Sequence, residues 1–118
     1  MTTEPYTTLD GSLITELIRP ETEGSGNLSV ARAVIMPGQS TFSHYHGSSE
    51  EVYYVLEGQG LLRINARTWE VGPGSVHLIR PGDEHNVTCM GETPLTILCA
   101  CAPPYRHEDT VVTERVAV

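Results

Sequence analysis

Residue types able to hold a divalent cation recur at short intervals in the middle of the chain. His44-Tyr45-His46 sets two imidazoles at i and i+2, and on a β-strand that spacing turns both rings to one face. Two nitrogen lone pairs then converge on one point, as metal coordination requires. Alone the pattern is weak, because with five His in 118 residues a chance His-x-His arises in about one such sequence in six. A polar hairpin edge explains it as well. The following segment, Glu50 to Gly58, opens on two carboxylates after the interval from Gly47. A hairpin there returns Glu51 to the side of His46, and a carboxylate heading an apolar strand is costly to bury unless a cation compensates it. Glu50 and Glu51 point to opposite faces, so only one of them can be a ligand. Gly74 to Glu84 reads as a strand and a Pro-Gly turn that delivers His85 to the start of another strand, where it is the candidate fourth ligand.

The elements that must position these groups are short. Eleven Gly and eight Pro punctuate the chain, and the stretches between them are rich in Val, Ile, Leu, Tyr and Thr, the pattern of an all-β sandwich or barrel. Strands are expected over 12–18, 28–36, 41–46, 50–57, 60–65, 68–71, 75–79, 85–90 and 95–101. ETEGSGN, MPGQS, LEGQG, EVGPG and RPGDE are the turns, since Gly supplies positive φ and Pro pre-sets a negative one. The 118 residues are the size of one ordinary domain, read as a single domain with a barrel core of about 28–101 and extensions at 1–11 and 103–118. Either extension can add an edge strand or wrap a partner subunit.

The spacing Gly38, five residues, His44-x-His46, four residues, Glu51, six residues, Gly58 resembles the first conserved motif of the cupin superfamily. Gly74 through Cys89 is similar to the second: Gly82 and His85 match, while Arg80 stands where Pro is usual and Cys89 where Asn is usual. The resemblance implies an all-β antiparallel jelly-roll barrel of cupin type, with His44, His46, Glu51 and His85 turned inward to one divalent metal ion; His44 and His46 then come from one strand and Glu51 from its hairpin neighbour, while His85 is delivered across the barrel. The donor chemistry agrees, since three imidazoles and a carboxylate leave room for water or substrate and suit Fe, Mn, Ni, Co, Cu or Zn.

Strand parity extends the site. After Glu51 it puts Tyr53 and Val55 on the metal side and Val52, Tyr54 and Leu56 opposite. Tyr53 could hydrogen-bond substrate, and is the candidate catalytic side chain, or could be barrel packing. By the same count Phe42 precedes His44 on the inner face, and Val87 and Cys89 follow His85 there. Arg32 and Arg63 are candidates to grip a substrate carboxylate if they face the cavity, Arg32 the better because its strand leads toward Gly38 and the ligand segment. His77, His107 and Trp69 are read as structural. Cys99 and Cys101 share a face of one strand, but two thiols without a companion pair are a poor metal signal.

Composition limits the partners. Seven basic against fifteen acidic residues give a net charge of -8, so a nucleic-acid backbone would be repelled. No apolar run approaches the ~20 residues that span a bilayer, and the N-terminal MTTEPYTTLD has no basic head or apolar signal core. The three cysteines, with no export signal, argue against a disulfide framework. The expectation is a cytoplasmic protein, a homodimer through an outer sheet face or exchanged terminal strands, that acts on a small-molecule ligand in the barrel mouth. Fold does not name the reaction. A metal-dependent enzyme of oxygenase type is the first reading, a redox-neutral isomerase, dehydratase or cyclase the second, and a sugar or metabolite binding module without turnover the third.

Overall fold

In the computed structural model, which describes residues 4–114, the Gly and Pro turns separate eleven short strands: β1 (Tyr6–Thr7), β2 (Leu13–Ile18), β3 (Ser29–Ile35), β4 (His44–His46), β5 (Glu50–Glu57), β6 (Gly60–Ile64), β7 (Arg67–Val71), β8 (Val76–Ile79), β9 (His85–Cys89), β10 (Leu95–Ala102) and β11 (Thr110–Val112). One helical turn, α1 (Pro20–Glu23), lies within the stretch between β2 and β3 read as a plain turn. The strands form two antiparallel sheets, β1-β2-β3-β10-β5-β8 and β11-β4-β9-β6-β7, which face each other as the jelly roll expected of the sequence. No helix among the described residues is long and apolar enough to cross a membrane.

The chain crosses from one sheet to the other after β5, at Gly58-Gln59-Gly60. Gly58 has φ +89°, and a Cβ there would stand 2.6 Å from the Pro94 carbonyl oxygen, so only glycine fits this close approach. The expected strand over 41–46 is shorter than its pattern suggested. Only 44–46 is strand; Ser40 makes an isolated bridge to Thr88, and 41–43 are irregular.

Alternation sorts the side chains. β5 runs exposed, buried, half-buried, buried, exposed, buried from Glu50 to Val55, and β10 alternates buried and half-buried along its length. The inward residues divide the interior into two ends. Toward one end Leu95 and Cys89, with Leu62, Val87 and Ile97 in the middle of the barrel, are each no more than 1% exposed, and burying each of the large aliphatics stabilises the fold by about 1.5–3 kcal/mol. At the other end the inward positions of the same strands are polar: His85 begins β9, Glu51 begins β5, and Cys101 near the end of β10 pairs in register with Glu51. One end is packed and holds the sheets together; the other is free to carry chemistry. The lateral edge between β7 and β8 is closed by the Trp69 and His77 rings, 5.0 Å apart, with Arg67 lying 5.1 Å over the indole, and Trp69 packs on the core.

Candidate metal centre

Three histidines meet at the polar end. His44 and His85 are register partners on the adjacent strands β4 and β9, and His46, two residues on, shares their face. One nitrogen from each ring lies within 4.8 Å of the other two, and all three side chains are buried. Each Nδ1 is engaged away from the meeting point. His44 Nδ1–H donates to the Phe42 carbonyl at 2.7 Å and His85 Nδ1–H to the Asp83 carbonyl at 2.9 Å. Thr110 gives its hydroxyl proton to the Arg106 carbonyl and so accepts from His46 Nδ1–H at 3.0 Å. These bonds set, for each neutral ring, the tautomer whose Nε2 lone pair faces the interior, the arrangement that holds metal-binding histidines.

Glu51 reaches the same point from the opposite sheet. Its Oε1 lies 3.1 Å from His46 Nε2 and 3.5 Å from His85 Nε2, while Cys101 Sγ donates to Oε2 at 3.3 Å and turns the carboxylate. Burial and then the charge of Glu51 push the Cys101 thiol up, so it stays protonated and serves as a donor. Burial tends to raise the Glu51 carboxyl, but the facing His46 and His85 imidazoles hold it well below the usual carboxylate range. Burial tends to lower His46, yet its hydrogen bond to Glu51 and that group's charge hold it above the ordinary imidazole value. His44 is pulled down by burial and by the neighbouring His85. His85 Nε2 is buried with no hydrogen-bond partner, and its lone pair faces a carboxylate oxygen. Two acceptors that face each other need a cation between them. Bonds of about 2.0–2.2 Å set ligand atoms roughly 2.8–3.6 Å apart for angles from a right angle to tetrahedral, and both Glu51 distances fit. A divalent ion therefore suits these residues.

The match to the Cupin domain family covers residues 31–101, more than half of the chain. The chain is a cupin. Over 111 residues it is 42% identical to an uncharacterized protein of Methanocaldococcus jannaschii, a match covering 94% of this chain and 89% of that one. It is 35% identical over 89 residues to an L-ectoine synthase of Bordetella parapertussis, covering 74% of this chain and 66% of the synthase. Among solved structures it is similar to a predicted oxalate decarboxylase of Thermotoga maritima, with a TM-score of 0.73 and 25% identity over 84% of this chain and 90% of that one.

Two steps of the sequence reading about how the cupin site is assembled are corrected. β4 and β5 do not form a hairpin: they belong to different sheets, so Glu51 meets His46 across the barrel. His85, expected to come from across the barrel, is instead beside His44 in the same sheet. The short link 47–49 makes the crossover possible because Asp109 holds it, accepting from the Ser48 and Ser49 amides at 3.0 and 3.2 Å.

A cavity with about 50 Å³ of water-accessible space, room for a few waters, opens beside the histidines. Of the expected pocket residues, Tyr53 and Val87 line it. The Tyr53 ring lies 5.7 Å from that of His85, and its hydroxyl has no hydrogen-bond partner among the described residues. Burial, then the charge of Glu51, pushes that phenol well up, so it stays a donor. Val55 and Cys89 do face inward but belong to the packed end. Four residues of strand carry each about 13 Å from the ligand that begins it. Phe42 is half-buried and lies against Gly11, because the chain is not strand at 41–43, so the alternation breaks and Thr41, 3% exposed, takes the inward place. Arg32 is exposed on the outer face of β3. Arg63 also faces outward, bonded to Asn86, Glu84 and Ser43.

The sequence reading missed the contribution of the ends. The cavity is also lined by Thr8, Asp10, Ser12, Glu16, Tyr105 and Thr110. After Ala102 the chain folds back so that β11 pairs with β4, the strand of His44 and His46. Tyr105 stands edge-on to His46 at 5.8 Å and bonds Thr8 and His107. The signals were thin: an Asp-Gly-Ser turn before β2 and a short β-branched run, Thr110-Val111-Val112.

Proposed function

We propose that this cupin is a metal-dependent enzyme for a redox-neutral reaction, loss of water or ring closure, on a small organic molecule in the barrel mouth. His44, His46, His85 and Glu51 are the metal ligands in this reading. The observation that carries it is the buried, unpartnered Nε2 of His85, which faces the same space as two further imidazoles and a carboxylate. One divalent transition ion there, of the Fe, Mn, Ni, Co, Cu or Zn group, would supply Lewis acidity toward a substrate oxygen.

The chain's own residues do the rest. Tyr53 offers its free hydroxyl as a hydrogen-bond donor and weak acid toward a leaving or developing oxygen. Ile14, Ala33, Ile35 and Ile97 make an apolar wall for a carbon skeleton and exclude water from it. Among the described residues no Arg or Lys lines the cavity, whereas Asp10, Glu16 and Glu51 do, so a neutral or cationic molecule with an oxygen donor fits better than a dianion. The likeness to an L-ectoine synthase at 35% identity supports the redox-neutral reading over the oxygenase one, which the same donor set would also serve.

The test is a screen of small amino and hydroxy acids with metal-loaded protein, followed by mass spectrometry and an oxygen electrode. Turnover without dioxygen uptake is expected. Uptake in step with turnover would return the oxygenase reading, and metal retained by His85→Ala would remove the centre itself.

We also propose that the protein works as a homodimer through the outer face of the β5–β8 edge, where Tyr54, Leu56, Val76 and Leu78 are 41%, 41%, 56% and 43% exposed on adjoining strands. A contiguous apolar patch of this kind marks an interface, and light scattering at micromolar concentration reads it directly. Three buried free cysteines suit a reducing compartment, which supports a cytoplasmic location.

A further inference from the structure

We propose that Asp10, from the N-terminal segment outside the matched family region, supplies a second carboxylate to the metal centre through Oδ2. This rests on the reading of the three histidines and Glu51 as a metal site and adds a ligand to it.

Asp10 is held in place before any ion arrives. Its Oδ1 accepts from the Ser12 amide at 2.9 Å and from the Ser12 hydroxyl at 2.6 Å. Its backbone carbonyl accepts from the Phe42 amide at 2.7 Å, and the turn is closed by Thr8 N–H to the Ser12 carbonyl at 3.0 Å. The segment is thereby tied to the residue whose carbonyl orients His44. With Oδ1 committed, Oδ2 is left aimed at His44 Nε2, 3.6 Å away, from a side chain 13% exposed. The Phe42 carbonyl holds the His44 ring proton on Nδ1, so Oδ2 and Nε2 face each other as two acceptors. Without a cation between them that arrangement is unsatisfied.

The geometry is that of ligands sharing an ion. A separation of 3.6 Å lies at the upper end of the roughly 2.8–3.6 Å expected between ligand atoms of one metal. Glu51 lies against His46 and His85, whereas Asp10 lies against His44, so the two carboxylates approach the triad from different sides. Charge points the same way. Three neutral imidazoles, one carboxylate and a divalent ion leave a net positive charge in a buried site, and a second carboxylate cancels it.

The experiment uses full-length protein stripped of metal and reloaded with Co(II), read by chelator competition and by visible absorption. Asp10→Asn keeps an amide oxygen for Ser12 and so preserves the turn. It is expected to weaken Co(II) binding about tenfold or more and to move the visible bands, which report coordination number and geometry. Ser12→Ala removes one of the two donors to Oδ1, keeps the backbone amide on it and leaves Oδ2 unaltered, and is expected to keep the wild-type bands. Circular dichroism of the metal-free variants checks the fold. Wild-type affinity and unchanged bands in Asp10→Asn, with Co(II) lost in His44→Ala, would overturn the role of Asp10 and leave the centre standing. Wild-type protein that binds no Co(II) would overturn both.

Discussion

Thr110 is 64 residues from the histidine it serves, and replacing it with valine isolates the effect of one hydrogen bond on the centre. Valine keeps the shape and removes the hydroxyl that accepts from His46 Nδ1–H at 3.0 Å. His46 is 4% exposed, so the bond is shielded from bulk solvent. In the metal-free variant the neutral imidazole moves its proton to Nε2, where Glu51 Oε1 accepts it at 3.1 Å. That tautomer cannot coordinate. Binding metal then requires the proton back on Nδ1, where it is buried and unpaired, at a cost of about 1–3 kcal/mol. The expected loss is therefore about 10–100-fold in metal affinity, the range usual for removing the partner of a coordinating histidine. Thr110→Ser should restore it. The assay is competition with a chromophoric chelator at fixed pH, alongside urea unfolding of the metal-free forms. Affinity of Thr110→Val within threefold of wild type, with His46→Ala losing metal, would refute the argument that this bond sets the tautomer.

Four further outcomes follow from the structure. Glu51→Gln should lose metal and Glu50→Gln should keep it, because Glu50 is exposed on the outer face; metal content after identical loading and desalting decides, and the reverse result would displace the register of β5. Metal affinity should still be rising as pH passes the ordinary imidazole value, since His46 holds its proton above it and the ion must displace it; titration from pH 6 to 9 reads this, and a plateau by about pH 6.5 would contradict it. The carboxyl of Glu51 is depressed in the fold, so the stability it contributes is present above its unfolded value of ~4.3 and is lost as pH falls through the folded one. The difference in stability between metal-free wild type and Glu51→Gln should shrink on acidification. Gly58→Ala should destabilise the barrel by about 2 kcal/mol or more, since its Cβ would stand 2.6 Å from the Pro94 carbonyl oxygen at a positive φ; thermal melting checks it.

Much of the site is legible in the amino-acid sequence because strand alternation is a local property. Two residues apart on a strand means the same face, wherever that strand lies, and so the inward direction of His44, His46, Glu51, Tyr53, Val55, Val87 and Cys89 followed from parity alone. The spacing of the two cupin-like motifs added the fold. Alternation does not say which strand is the neighbour or how deep a position lies, and the errors fall there. The link between His46 and Glu51 looked like a hairpin, yet it crosses between sheets, because Asp109 from the far end of the chain holds residues 47–49 in the crossover. Val55 and Cys89 face inward as expected but stand about four residues of strand away from the centre, in the packed end. Phe42 lies where the strand has not begun. Asp10, Tyr105 and Thr110 are brought to the histidines by the two ends of the chain, one tied down by the Phe42 amide and the other by pairing with β4. Such pairings depend on which edge of a sheet is left open once the barrel has closed, and that is decided by the packing of the whole chain rather than by any stretch of it.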